Sequence, residues 1–267
     1  MKFQNEIVFI TGASSGIGLS TALHFARQGA DVGVLARSGA KLEHVKAEIE
    51  GLGRRCEAYV GDVRDREFVF ETARQICSEL GPVSILVNNA GMGVGGAVFE
   101  VPLEEIQELM DVNFFGVIHT AQAFLPGMME RRRGCIVNIS SILGKASFPF
   151  TGYYCASKFA ITALSDAWRI ELRPFNVHVL NVCPGSTSGT EFHNHAKGPK
   201  DRLPRRYEMT ADEVGRRIVR ATAAKKREII LTAGGRFFVT ANRLVPGLTY
   251  QVLRRVVPYL RKRSEGL

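Results

Sequence analysis

The chain has 267 residues, 45% of them hydrophobic and 23% charged, a balance close to the soluble globular average and sufficient for one large α/β domain with a buried core. That balance excludes a mainly disordered chain, and the 27 glycines follow no collagen-like period. Charge is uneven: residues 1–196 hold 17 Lys/Arg and 20 Asp/Glu, net −3, whereas residues 197–267 hold 18 and 6, net +12.

Short β-branched runs alternate with longer amphipathic stretches, the pattern of a parallel sheet covered by helices on both faces. Met1–Glu6 leads straight into the first apolar run, with no signal-peptide pattern, so the chain is expected to begin at its fold. Strands are predicted at 7–11, 31–36, 55–61, 84–88, 134–140, 176–183 and 228–231. Between them, helices are predicted at 16–29, 38–52, 65–80, 103–132, 152–173 and 211–224. Seven strands and six crossovers make one doubly wound, Rossmann-like domain over 1–267, with no internal repeat. Residues 185–209 interrupt the rhythm with Gly, Ser, Pro and His, and a loop at the carboxyl end of a late strand sits over the ligand crevice. After the last strand, 235–245 and 248–263 read as two helices divided by Pro246-Gly247, a basic amphipathic extension over 235–267.

Thr11-Gly12-Ala13-Ser14-Ser15-Gly16-Ile17-Gly18 joins the first strand to the first helix, the context that a phosphate-binding loop requires. Gly12 permits the turn, Gly16 the approach of a pyrophosphate, and Gly18 close helix–strand packing, while the helix amino terminus offers N–H donors to the anion. The second strand ends in Leu35-Ala36-Arg37-Ser38. A carboxylate at that place would bind an adenosine 2′-hydroxyl; Arg37 and Ser38 instead suit a 2′-phosphate, and their plainer alternative is a solvated arginine before a helix-capping serine. Asp62, in Gly61-Asp62-Val63 after the third strand, is placed to accept from an adenine amino group. Tyr154 and Lys158 lie four apart on one predicted helix and share a face, where an ammonium favours the phenolate and brings a tyrosine toward acid–base work. Ser141, thirteen residues before Tyr154, ends the fifth strand and can bond a substrate oxygen. Ser140 points to the opposite face, so only one of the two can serve.

With these motifs the sequence resembles the short-chain dehydrogenase/reductase family over nearly its whole length, and Gly12-x-x-x-Gly16-x-Gly18 looks like the spacing of its smaller, core-type oxidoreductase branch. Asn88-Asn89-Ala90-Gly91, Asn113, Ser141, Tyr154, Lys158 and Pro184-Gly185 complete the match. The resemblance implies an enzyme with Asn113, Ser141, Tyr154 and Lys158 as catalytic residues. Hydride passes between the nicotinamide and a carbonyl carbon while Tyr154 protonates the oxygen, Ser141 holds it, Lys158 binds the ribose and lowers the Tyr154 pKa, and Asn113 holds a water that relays protons. NADP(H) is the expected cofactor, bound by Gly12, Ser14, Ser15, Gly16, Ile17, Gly18, Arg37, Ser38, Asp62, Val63, Asn89, Tyr154, Lys158 and Thr187. The stretch Pro184 to Thr190 is one residue longer than usual, which leaves Thr187 and Thr190 as alternatives at the carboxamide.

The expected substrate is a hydrophobic ketone or alcohol, with Phe148-Pro149-Phe150 and Phe192 as candidate pocket walls. A 3-oxoacyl thioester reductase is the second enzyme reading, and an NADPH-binding sensor or membrane-surface scaffold is the alternative of another class. A homodimer or homotetramer follows from the resemblance. The basic tail suits peripheral contact with an anionic membrane, or a lid or subunit contact. Nucleic acid is not expected, because no stacking platform or recognition motif accompanies the charge. Cys56, Cys77, Cys135, Cys155 and Cys183 form no Cys-x-x-Cys, so a reducing cytoplasm fits, and His193-x-His195 lacks further ligands, so no metal is expected.

Overall fold

The computed structural model describes residues 1–190 and 208–264, with side chains as far as 258. Its elements in chain order are β1 (Ile7–Thr11), α1 (Gly16–Arg27), β2 (Asp31–Ala36), α2 (Gly39–Gly51), β3 (Cys56–Val60), α3 (Arg66–Glu79) and β4 (Ile85–Asn88). There follow α4 (Leu103–Met110), a π-helical turn (Asp111–Phe115), α5 (Gly116–Glu130), β5 (Gly134–Ile139), α6 (Gly152–Glu171) and β6 (Val177–Cys183). The chain then forms β7 (Thr187–Ser188), β8 (Met209–Thr210), α7 (Ala211–Ala223), β9 (Glu228–Ile230), α8 (Ala233–Leu244) and α9 (Pro246–Ser264).

Seven parallel strands pair in the order β3-β2-β1-β4-β5-β6-β9. Every residue of β1 and β2 is buried, as a strand covered on both faces requires. Successive side chains go to opposite layers. Val8, Ile10, Val32 and Val34 pack with Phe25 of α1, Leu42 and Val45 of α2, and Val214 and Ile218 of α7. Ile7, Phe9 and Leu35 pack on the other side with Ile76 of α3 and with Phe124 and Met128 of α5. The Phe9 and Phe124 rings meet with centroids 4.8 Å apart.

Winding reverses between β1 and β4, which opens a crevice at the carboxyl ends of those strands. Because all the strands run the same way, the segments after β1 to β6 gather at one edge of the sheet. The helix predicted over 103–132 runs unbroken from Leu103 to Glu130 but with a π-helical insert, which holds Asn113, whose buried side chain accepts from Met92 N (2.8 Å) and donates to Met92 O (2.9 Å) and Ser157 Oγ (3.0 Å). Those bonds to a loop and a second helix hold the extra residue in place, and periodicity cannot foresee them. The two-residue pair β7–β8 was also unforeseen. Pro246, expected as a divider, starts α9, where its missing N–H costs nothing. Phe192, His193, His195 and most of the predicted loop 185–209 lie outside the described residues.

Candidate active site

At the end of β1, Gly12 (φ +64°) and Gly16 (φ +56°) adopt left-handed backbone that other residues resist. A Cβ on Gly18 would stand 2.2 Å from Gly12 O, so only glycine lets α1 approach the loop. Asn89 Nδ2 donates to Thr11 O and Gly12 O, each at 3.0 Å, and ties the loop to the end of β4. Ser15 makes no side-chain cap and the first turn of α1 carries no acid, so its N–H groups face no anion of their own. The same holds for α2 behind Ser38. By contrast, α3 and α7 are capped by Asp65 and Thr210 and carry acids in their first turns. Ser14 and Ile17 are half-buried along the loop. The cradle that a Cβ would fill and the uncapped helix start fit the pyrophosphate of a dinucleotide.

Arg37 stands exposed at the end of β2. Asp62 accepts from Arg64 N (3.0 Å), Nε (3.0 Å) and Nη2 (2.8 Å). Burial opposes its ionisation, but these bonds and the charges of Arg64 and Arg37 hold the carboxyl below the usual aspartate range. Val63 beside it is buried, and its carbonyl meets His119 Nδ1 at 3.0 Å. The Arg64 clamp, which reaches on to Glu108 at 3.3 Å, was not foreseen, because a local Asp-x-Arg has many other uses.

Ser141 follows β5 and caps the short turn Ile142–Gly144, its Oγ accepting from Leu143 N at 3.1 Å. Its hydroxyl is also hydrogen-bonded to the Tyr154 phenol. Lys158 is buried one turn further along α6 and donates from Nζ to Ile139 O at 3.0 Å; that nitrogen lies 5.8 Å from the centroid of the Tyr154 ring. Burial lowers the Lys158 pKa to about 8. Burial also raises Tyr154 above the tyrosine range, and the Ser141 bond offsets only part of that rise. The phenol therefore keeps its proton at neutral pH. A Cβ on Gly91 would sit 3.2 Å from Asn113 Oδ1 and 3.4 Å from Lys158 Nζ, so glycine keeps the space beside both open.

Ser140, expected on the opposite face, also meets α6, because Ser141 lies past the end of β5 where strand alternation no longer applies: Ser140 Oγ donates to Lys158 O (2.9 Å) and lies 3.0 Å from Thr162 Oγ1, anchoring α6 to β5. Thr187 Oγ1 donates to Gly185 O at 3.1 Å, whereas Thr190 packs against Gly16, with its Cγ2 3.1 Å from where a Cβ would be. A cavity of about 290 Å³ adjoins α6, lined by Gly96, Val98, Phe99, Phe148, Tyr153 and Val257 among others. Phe148, Pro149 and Phe150 line it with Tyr153, whereas Ser141, Tyr154 and Lys158 do not; the contribution of Val257, over a hundred residues away in α9, had no local signal. Among the described residues no cluster of His, Cys, Asp and Glu is placed to hold a metal.

The sequence profile described as short chain dehydrogenase matches residues 6–200. The chain is similar to the 3-ketodihydrosphingosine reductase of Bacteroides thetaiotaomicron, 42% identical over 193 residues that cover 72% of this chain and 68% of that protein. Among solved structures, an alcohol dehydrogenase from Thermococcus sibiricus complexed with 5-hydroxy-NADP is 29% identical with a TM-score of 0.77, covering 85% of this chain and 96% of that one. An NAD⁺-bound xylitol dehydrogenase is 25% identical with a TM-score of 0.79, covering 87% and 99%.

Proposed function

Because the chain belongs to the short-chain dehydrogenase/reductase family, a family of nicotinamide-dependent oxidoreductases, we propose that it is an NADPH-dependent reductase of a hydrophobic ketone, with alcohol oxidation as the reverse reaction. The observation that carries the reading is the Ser141–Tyr154 hydrogen bond beside buried Lys158; an aromatic-walled cavity lies against the start of the same helix, at Gly152 and Tyr153. A dihydronicotinamide, when bound, would supply a hydride to the carbonyl carbon. Tyr154 gives its phenolic proton to the oxygen, and burial keeps that proton in place at neutral pH. Ser141 steadies the same oxygen by donating to it. Lys158 holds the ribose hydroxyls and sets a positive charge beside the phenolate as it forms. The Asn113 amide is engaged by Met92 and Ser157, so a water between it and Lys158 rests on the second lone pair of Oδ1 or on the main-chain carbonyl.

On the cofactor side, Gly12, Ser14, Ser15, Gly16, Ile17 and Gly18 cradle the pyrophosphate and Asn89 braces the loop. Asp62 and Val63 meet the adenine, and Thr187 meets the carboxamide. Arg37 and Ser38, at the uncapped start of α2, take the 2′-phosphate, which is the basis for preferring NADPH to NADH. The apolar cavity and the Bacteroides relative's name favour a long-chain 3-keto substrate. The basic carboxyl-terminal region favours, as a second reading, a 3-oxoacyl thioester on an acidic carrier. The reading extends to one catalytic domain over 1–267, with 185–209 as its substrate loop. It also includes a cytoplasmic homodimer or homotetramer, supported by the exposed Phe115, Phe159 and Ile170 on the outer helices.

NADPH and NADH oxidation by purified protein, across free ketones of increasing chain length and 3-oxoacyl thioesters, tests the reading. Oxidation of NADPH but not NADH, faster with longer ketones, is expected. NADPH binding without oxidation by any ketone or thioester would contradict catalysis and leave a sensor.

A further inference from the structure

From Ala233 to Ser264 the chain carries seven Lys/Arg and no Asp or Glu. The inward side of α9 is accounted for: Thr249, Leu253, Val256 and Val257 recur at helical intervals and are buried or half-buried, and Val257 lines the cavity. On α8, Phe238 packs against Phe148 of the cavity wall, ring centroids 6.5 Å apart. The outward side is unlike a solvated helix face. Phe237 and Leu244, seven residues apart and therefore on one side of α8, are 76% and 73% exposed. Leu248 and Val252 share a side of α9 and are exposed, as is Tyr250. Exposed Arg236, Arg243, Arg254 and Arg255 lie among them. Val98 and Phe99, which line the cavity from the loop before α4, are exposed as well. The exposed apolar side chains of α8 and α9 thus stand on helices whose other sides, through Val257 and Phe238, back the cavity that Val98 and Phe99 line, and the arginines beside them have no acid in either helix.

A second copy of the chain would set cations against cations with no acid in either helix to compensate, which disfavours self-association through this face. An anionic lipid surface satisfies both features, taking the apolar side chains into its acyl boundary and pairing the arginines with its headgroups. We propose that α8 and α9, with Val98 and Phe99, dock the protein on an anionic bilayer and that the cavity draws its apolar substrate from that bilayer. No described helix is long and apolar enough to cross a membrane, so the contact is interfacial. Docking stands apart from the hydride chemistry; only the supply of substrate rests on the ketone-reductase reading.

The test is sedimentation of the full chain with phosphatidylcholine vesicles, with and without phosphatidylglycerol, across a salt series. One variant removes charge (Arg243→Gln, Arg254→Gln, Arg255→Gln) and a second removes apolar surface (Phe237→Ser, Leu244→Ser, Leu248→Ser). All six positions are exposed, so unchanged circular dichroism and turnover of a short water-soluble ketone are the expected controls. The parent should bind phosphatidylglycerol vesicles at low salt, and the charge variant should bind about a hundredfold more weakly at that salt. The apolar variant should lose the part of the binding that survives high salt. Parent protein left in the supernatant with anionic vesicles at low salt would overturn the proposal. So would an apolar variant that binds like the parent, or one that only changes the oligomeric mass, which would assign the face to a second copy. Phosphatidylglycerol vesicles should also speed reduction of a long-chain ketone by the parent and not by the variants. Vesicle binding with no reduction of any ketone would refute the reductase reading and leave docking intact.

Discussion

Arg37 and Lys158 carry the two residue-scale expectations. Arg37 stands where an acid would select the unphosphorylated cofactor, beside the uncapped start of α2. Arg37→Ala should weaken NADPH binding by about 1.5 to 3 kcal/mol, the worth of a charge-assisted hydrogen bond, and leave NADH nearly unchanged. Fluorescence titration with both cofactors checks this, and equal losses would contradict the assignment. Lys158, with its pKa lowered by burial to about 8, is an ammonium below that pH and neutral above it. If its charge supports the forming phenolate, kcat/KM for ketone reduction should be level below pH about 8 and fall above it. Tyr154 is shifted upward and adds no ionisation in that window. A pH–rate profile flat well above pH 8 would separate Lys158 from the proton step.

At the scale of elements, the middle of the sheet is held by polar side chains as well as apolar ones. Asn88, Asn138 and Asn181 are in-register neighbours on β4, β5 and β6, and all three are buried. Thr120 of α5 donates to Asn88 Oδ1 (2.6 Å), Asn88 Nδ2 to Asn138 Oδ1 (2.9 Å), and Asn138 Nδ2 to Ser165 Oγ on α6 (2.9 Å). This chain of bonds ties the strand that leads to Ser141 to the helix that carries Tyr154 and Lys158. Asn138→Ala strands buried groups on both sides, and urea unfolding should show a loss of about 2 to 4 kcal/mol. A loss within the ordinary surface range would mean that the ladder is not coupled. The strands were legible because burial on both faces leaves apolar runs, and most observed ends fall within a residue or two of prediction. The ladder was not, since an asparagine within a strand run does not announce its partners, and the π-turn at Asn113 escaped for the same reason.

For the molecule as a whole, the alternation of strand and helix was enough to read the sheet class, and each segment singled out for the site follows a strand at the same edge. Parallelism explains that success: once the strands share a direction, motifs far apart in sequence must meet at one end. What stayed hidden depends on contacts between distant segments, namely Val257 in the cavity wall and Thr190 against Gly16 of the glycine-rich loop. In the proposed reaction Tyr154 is the proton donor to a ketone. The most direct test is single-turnover NADPH oxidation by Tyr154→Phe beside the parent, with NADPH affinity measured on the same samples. The rate should fall by at least about a hundredfold with affinity largely kept, because the substitution removes a hydroxyl and leaves the ring. A Tyr154→Phe protein that oxidises NADPH with ketone at close to the parental rate would contradict it.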